Sequence, residues 1–465
     1  MMDWQHLLNP NRPRKSVSAG DHREQFERDY DRAVFSTPVK RLQDKAQVFP
    51  LETHDAVRTR LTHSLEVSSV ARGLATAVAK WLFDENHIDS GMERQIEAIA
   101  ATCGLIHDLG NPPFGHSGED AIREWFQQKH DHPRLNFRGK LNGDEQLVRD
   151  FLLFEGNAQT LRIVAKLQVL ADFHGLNLTY GTLSANCKYT ASSAEANQDA
   201  LDHAKSKPGY FASETGLIEA IRQETGTGNA RNPITFLVEA ADDIVYAVAD
   251  IEDGIKKGIL TWSALEKYFR DEVGPTSELV LKLLASKENI LKAGRPAVPD
   301  DLPDDIHGTA FRTAAIGVLV PLAVDAFKAN YDAIMRGEFT GELVTVNGGV
   351  HGLIKLFKRI ARQRIYCTPS TLKLELMGRR IIHDLMDLFW EGAEALPLNE
   401  EPKSKEFAGK LGLLLSANHR KVFRHFVSEQ PKLPEIYHRF QLVTDYICGM
   451  TDSFAKRLHA ELTNG

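Results

Sequence analysis

The sequence has few cysteines, no long apolar run and no excess of positive charge. Its four cysteines, Cys103, Cys187, Cys367 and Cys448, lie far apart and form no CxxC pair. That excludes a thiolate zinc site or a disulfide framework as the organising element, and reduced thiols in a cytoplasm fit best. Lys, Asp, Glu or His interrupts every apolar stretch before it reaches the roughly 18 residues a membrane span needs. The beginning, MMDWQHLLNPNRPRKSVSAG, lacks an apolar signal core of about 7–15 residues, so no export is expected. Lys and Arg number 56 against 63 Asp and Glu, a net charge of −7. This disfavours a surface built mainly for polyanions, although local basic clusters such as Arg420–His425 and the segment around Arg138 could still touch a phosphate or a single strand. Internal repeats and low-complexity tracts are absent too. What is present, 465 residues with 42% hydrophobic and 26% charged side chains, is the composition of a packed globular protein.

Strand signals are scarce, and the hydrophobic period from Arg58 onward is about 3.6 residues, which predicts an all-α fold. Leu61, Leu65, Val67, Ala71, Leu74 and Val78 fall on one broad helical stripe. A second helix is expected over Arg94–His107, ending at a loop that contains Gly110, Pro112, Pro113 and Gly115, since a Pro-Pro pair cannot continue it. Ser117 with Asp120 three residues later has the spacing of a capping box, placing the next helix start at Ser117. Further helices are expected near 144–154, 157–171, 210–222, 233–257, 275–291, 311–336, 351–363, 369–388 and 434–461. Gly337–Gly349 alternates and is flanked by glycine, as a short hairpin would be. Residues 191–209 and 291–308 look loosely packed. Three parts are expected: an irregular arm over 1–40, a catalytic body over 41–290 and a C-terminal helical region over 291–465.

The most informative pair is His107–Asp108, at the point where an apolar helix meets the Gly-Pro loop. A buried carboxylate beside an imidazole needs a charge partner. His63 within RLTHSLEV and Asp242 within an otherwise apolar helix offer the same chemistry. Two imidazoles and two carboxylates suit a divalent cation of the Mg, Mn, Fe, Co or Zn group. Singly, each residue also has an ordinary reading, as a bonded core histidine or a buried cap. Asp243 rivals Asp242, which is preferred because Tyr246 and Asp250 follow it on the same helix face.

These segments together resemble the HD-domain phosphohydrolases, and within them the deoxyguanosine triphosphate triphosphohydrolase family. The resemblance rests on RLQDKAQVFP (41–50), RTRLTHSLEV (58–67), HDLGNPPFGHSGE (107–119), GLNLTY (175–180), KYT (188–190) and EAADDIVYAVADIEDG (239–254). It thins through KLELMGRR (373–380) and QLVTDYICGMTD (441–452). It implies that His63, His107, Asp108 and Asp242 ligate a divalent metal, Mg²⁺ or Mn²⁺ with Co²⁺, Ni²⁺ or Fe²⁺ also open. It places a catalytic pair at His116 and Glu119, where the carboxylate can steer the imidazole that handles a proton.

A triphosphate needs cations beyond the metal. Arg60, one turn from His63, and Lys188 are candidates, with Tyr246 donating its hydroxyl and Asp250 placed to accept from a sugar 3′-hydroxyl. By resemblance Gln43 and Asn157 also belong to the pocket, Tyr189 flanks or stacks on it, and Glu375 and Tyr366 contact the base. The function this implies is metal-dependent hydrolysis of dGTP or several dNTPs to deoxynucleoside and inorganic triphosphate, controlling the dNTP pool. The enzyme would be a cytoplasmic homo-oligomer, a hexamer in the resembling family. Two other readings stay open: an HD hydrolase of a guanosine polyphosphate or cyclic dinucleotide, and a single-strand nucleic-acid-binding protein with a vestigial site. Which dNTP is preferred, and whether a nucleotide activates, cannot be read from the sequence.

Overall fold

The computed structural model of the chain describes residues 1–16, 22–51, 55–129, 135–168, 172–272, 275–299 and 301–463. These are overwhelmingly helical, and among them only Ala191–Ser192 and Pro208–Tyr210 pair as strands, in parallel. The fold is all-α, as expected.

Three helices frame the site. The first, Arg60–Asp84, starts from a reciprocal cap in which Thr59 and Thr62 each bond the other's backbone N–H. It buries Val67, Ala71, Leu74, Ala75, Val78, Ala79 and Leu82 completely. The second, Met92–Ile106, packs along it. At Gly104 the two backbones meet, since a Cβ there would lie 2.7 Å from Ser68 Cα. That contact falls one turn before His107 and draws it towards His63. Gly104→Ala should therefore cost about 1–3 kcal/mol, the usual penalty of overpacking a rigid contact. Thermal denaturation checks this, and an unchanged melting temperature would show that the helices separate freely.

The third helix, Pro233–Lys256, opens with Asn232 accepting from Ile234 N at 3.0 Å and Pro233 at its first position. It is buried around nearly its whole circumference, as a central core helix is. Against it packs Asp304–Ala329, a helix long and apolar enough by composition to cross a membrane. Arg312 and Asp325 interrupt its apolar run in the sequence. Its Phe311, Ala315, Leu319 and Phe327 are fully or almost fully buried among the core helices.

A second apolar cluster joins the helix after the His-Asp loop, Gly115–Lys129, to the C-terminal helices. Trp125, Phe126, Phe137 and Phe151 pack there against Ile382, Phe389, Trp390 and Phe440. The C-terminal helices Pro369–Glu394 and Glu435–Cys448 thus brace the His-Asp loop from one side.

Several expectations need correction. The N-terminal segment is not an irregular arm: Trp4, Leu7 and Leu8 are buried, and Trp4 Nε1 donates to Tyr331 Oη at 3.0 Å. A buried indole needs such a partner. The segment also contains the helices Gln25–Val34 and Thr37–Arg41. Gly337–Gly349 forms no hairpin. Its carbonyls are taken by other elements, with Thr340 O accepting from His203 N at 3.0 Å and Gly341 O from Arg231 Nη2 at 2.7 Å. Ser117 does not cap; the helix begins two residues earlier at Gly115, whose φ of +60° suits glycine. The helix expected near 434–461 breaks at Gly449–Thr451 and restarts as Asp452–Thr463. Residues 191–209 are not loose either, for they carry the strand pair and buried Ala196 and Ala204.

Candidate active site

The three framing helices bring His63, His107, Asp108 and Asp242 to the floor of one cleft. Ligand atoms of His63, His107 and Asp108 lie within 4.8 Å of one another. Asp242 Oδ1 sits 3.2 Å from His63 Nε2 and 3.5 Å from His107 Nε2. Its neighbour Asp243 also lines the cleft but pairs with Lys358, at 2.8 Å from Nζ, rather than with the two imidazoles.

The environment of each group fits a cation. His107 Nδ1–H donates to Gly104 O at 2.8 Å, which leaves Nε2 as the ring nitrogen facing Asp108 and Asp242. His107 Nε2 and His63 Nδ1 are both buried with no hydrogen-bond partner. Burial works against a charged His107, yet Asp108 and Asp242 outweigh it and raise its pKa to about 9. Burial likewise opposes a charged Asp108, but Arg60, His107 and His63 hold it down at about 2. Asp242 is held well below the usual carboxylate range by the two imidazoles, again against burial. Asp108 also accepts from Arg60 through Oδ2 and from Asn111 Nδ2 at 2.5 Å through Oδ1. Such a set, two imidazoles and two ionised carboxylates with their outer bonds in place, fits a divalent first-row metal.

On one side of this floor lies the His116–Glu119 pair. His116 stands at the mouth with 81% of its side chain exposed, and its Nδ1 is 3.9 Å from Glu119 Oε2. Glu119 holds the imidazole's pKa above its ordinary value. Glu119 itself is buried, pairs with Arg123 and neighbours Glu155; burial and that second carboxylate raise its pKa. Asn157 lines the cleft, donating to Glu155 Oε1 at 2.8 Å.

The cations are spread around the cleft, Lys207 beside Glu155 at 3.1 Å. Arg60, Lys188, Lys207 and Lys358 all line the cleft, with Tyr189 and Tyr246. Lys188 leans on Glu239 at 3.6 Å, and Glu239 also carries Arg231 at 2.7 Å and His203 at 3.4 Å. Tyr246 Oη bonds Tyr366 Oη at 2.9 Å, and Tyr366 donates in turn to Asp250 Oδ2. Asp250 and Tyr366 thus lie behind Tyr246 and do not form the cleft wall. Asp250 is 1% exposed, its Oδ1 has no partner, and burial raises its pKa to about 7.

Two more predicted residues are not brought to this cleft. Gln43 is exposed and lines a separate groove with Asp44, Phe49 and Lys456. Glu375 lies half-buried on the Pro369–Glu394 helix, away from the lining residues. The residue that takes the place expected for Gln43 is Gln47, whose Oε1 is buried without a partner. Ala46 forms an antiparallel bridge with Thr59, which sets Gln47 beside Arg60. Gln43 and Gln47 share one short motif, and nothing in the spacing separated them. Lys207 and Lys358 were missed as well, since neither lies in a motif; Asn111 lies inside HDLGNPPFGHSGE and Glu155 two residues before Asn157, but a lone amide or carboxylate in a loop carries no spacing of its own.

A family model of the HD domain matches residues 60–138, the stretch that carries His63, His107, Asp108, His116 and Glu119. Fold and site together define an HD-domain phosphohydrolase. The chain is 37% identical over 476 residues to a deoxyguanosinetriphosphate triphosphohydrolase-like protein of Listeria monocytogenes, spanning 99% of each. It is 33% identical over 501 residues to a deoxyguanosinetriphosphate triphosphohydrolase of Serratia proteamaculans, spanning 98% of this chain and 97% of that one. To the enzyme of that name from Klebsiella pneumoniae it is 34% identical over 469 residues, 92% of each. The chain belongs to the deoxyguanosinetriphosphate triphosphohydrolase family, and the resemblance drawn from its motifs holds over nearly its full length.

Proposed function

We propose that this enzyme hydrolyses deoxynucleoside triphosphates, dGTP or several of them, to deoxynucleoside and inorganic triphosphate, and so controls the dNTP pool in the cytoplasm. The observation that carries the reading is the convergence of His63, His107, Asp108 and Asp242 beneath a rim of four cations, Arg60, Lys188, Lys207 and Lys358. Together these match the charge of a triphosphate tail. A divalent ion held by the four ligands, Mn²⁺ or Mg²⁺ with Co²⁺, Ni²⁺ or Fe²⁺ as alternatives, supplies Lewis-acid polarisation of the phosphoryl group. The chain's own residues do the rest. Arg60, Lys188, Lys207 and Tyr246 orient the tail so that the α-phosphorus faces His116. His116, steered by Glu119, takes the proton of the attacking water and passes it to the departing 5′-oxygen of the sugar. Asn157 steadies Glu155 beside that pair. Gln47 faces the sugar, and Asp250 takes its 3′-hydroxyl once the nucleotide moves the Tyr246–Tyr366 pair aside; Gln43 and Glu375 would reach a nucleotide only if the cleft is extended, for example by a neighbouring subunit. In this reading residues 41–290 carry the chemistry, and residues 291–465 complete the pocket and supply the oligomer contacts.

Incubating the protein with each of the four dNTPs and with GTP, under Mg²⁺ and under Mn²⁺, tests the proposal. Triphosphate and deoxynucleoside are the expected products, with GTP spared. Inert dNTPs, with pyrophosphate released from an added guanosine 3′-pyrophosphate or a linear dinucleotide formed from an added cyclic one, would support the other HD-hydrolase reading instead. The single-strand-binding reading has less support, because Arg420, in the cluster that motivated it, is buried and the cluster lines no part of the cleft. Arg420 and Arg424 share Glu401 at 2.8 and 2.7 Å, and Lys140 pairs with Glu394 at 2.6 Å.

Asp250→Ala should lower kcat/KM on 3′-hydroxyl substrates about 10–100-fold more than on 3′-deoxy analogues, since a hydrogen bond to a charged partner contributes about 1.5–3 kcal/mol. Equal loss on both would make Asp250 a structural partner of Tyr366. We also propose a homo-oligomer, as a hexamer. Leu372, Leu376, Phe407 and Leu414 on the C-terminal helices are 44%, 68%, 61% and 45% exposed, apolar surface that symmetric assembly would cover. Light scattering should give a multiple of 52.0 kDa, and a persistent monomer mass with metal and dNTP present would contradict it.

A further inference from the structure

Lys45 is 4% exposed, and no carboxylate lies within ion-pair distance of it among the described residues. Burying an ammonium without a counter-charge is costly unless its donors are fully used. Its Nζ donates to Asn111 O at 2.6 Å and to Cys448 O at 2.7 Å. Cys448 is the last residue of the Glu435–Cys448 helix, where the free carbonyls and the negative end of the helix dipole favour a cation. Asn111 sits in the loop just after the His-Asp pair, and its side-chain Nδ2 donates to Asp108 Oδ1 at 2.5 Å. One ammonium therefore ties the backbone of the residue that holds Asp108 to the end of a C-terminal helix 337 residues away in sequence from that loop residue.

A second tie runs in parallel. Asp452, 1% exposed, accepts from Ala46 N at 3.0 Å through Oδ2 and from Phe114 N at 2.9 Å through Oδ1. The helix break at Gly449–Thr451 is what turns Asp452 and the Cys448 carbonyl towards the loop together. The far side of the loop is fixed by Thr160, whose Oγ1 accepts from Gly110 N at 2.9 Å and donates to His107 O at 3.1 Å. Lys45 and Asp452 thus hold the one flank of the loop that Thr160 does not.

We infer that Lys45 is a positioning residue of the metal site: by clamping the Asn111 carbonyl against the Cys448 helix end it sets the Asn111 side chain, and through it the carboxylate of Asp108. The inference rests on the proposed function in taking Asp108 as a ligand. Outer partners of metal ligands typically alter affinity about 10–100-fold. Lys45 acts one bond further out, so the lower end of that range is expected.

The test is Mn²⁺ affinity of the full-length protein, read from the free-ion signal in electron paramagnetic resonance, with the melting temperature of the metal-free protein read alongside. Lys45→Met should weaken Mn²⁺ binding about tenfold, lose activity at limiting Mn²⁺ and recover kcat at excess Mn²⁺, with KM for dGTP unchanged. In an Asn111→Ala background the same substitution should add less than about twofold, because the link is already cut. A Lys45→Met protein that binds Mn²⁺ like its parent, or one whose activity excess Mn²⁺ does not restore, overturns the inference. If Lys45→Met does not fold, Lys45→Arg carries the test, since it keeps the charge but displaces the donors. Weaker Mn²⁺ binding there supports the inference, and parental binding overturns it. A parent protein that binds no Mn²⁺ would instead bring down the proposed function and this inference with it.

Discussion

Replacing His107 with alanine is expected to leave a folded protein that no longer holds a divalent ion. The imidazole is 14% exposed at the end of a helix whose packing is set by Gly104 and Ser68 rather than by the ring. Asp108→Ala should also lose the ion but at a further cost. Arg60, with a side chain 5% exposed, would lose its carboxylate, and an unpaired buried charge destabilises by up to about 3 kcal/mol where a cleft lets some water in. Metal content and melting temperature separate the two effects. Full occupancy in either variant would remove the pair from the site. The parent's Mn²⁺ uptake should strengthen with pH. Below about 9 His107 in the metal-free site carries a proton, against the pull of burial and because of Asp108 and Asp242. That proton must leave before the ring can ligate, so affinity should rise up to about tenfold per unit between pH 6.5 and 8.

His116→Ala should keep the metal and bind dNTP yet turn over about 10²–10⁴-fold more slowly, the usual size of a general acid–base contribution. In barrier terms that is about 2.7–5.4 kcal/mol. The side chain stands 81% exposed at the mouth of the cleft, so its removal disturbs no packing. Loss of the metal would show instead that His116 is a ligand, and an unchanged rate would make it an ordinary surface residue of the Gly115–Lys129 helix.

The parts of the site that were legible in the sequence are those tied to helical spacing. His63 and Arg60 share a face one turn apart, Asp242 and Tyr246 do the same, and the His-Asp pair sits at a Gly-Pro stop. Each follows from the 3.6-residue period and a helix terminus. What was not legible depends on long-range closure. Gln47 rather than Gln43 enters the cleft because of a single bridge between Ala46 and Thr59. Lys207 arrives through a segment whose polar composition concealed a strand pair. The helix break before Asp452 left no strong local signal, since its purpose is to bond Phe114 and Ala46 far away in sequence. The N-terminal helices were missed for the same reason: Trp4 is helical and buried because Tyr331 meets it.

Water should attack at the α-phosphorus of a deoxynucleoside triphosphate. Reaction of the Mn²⁺-loaded protein with dGTP in ¹⁸O-water, followed by mass spectrometry of both products, tests it most directly. Inorganic triphosphate carrying one ¹⁸O and deoxyguanosine carrying none are the expected products. Label in the deoxyguanosine, or release of pyrophosphate with dGMP, would contradict it.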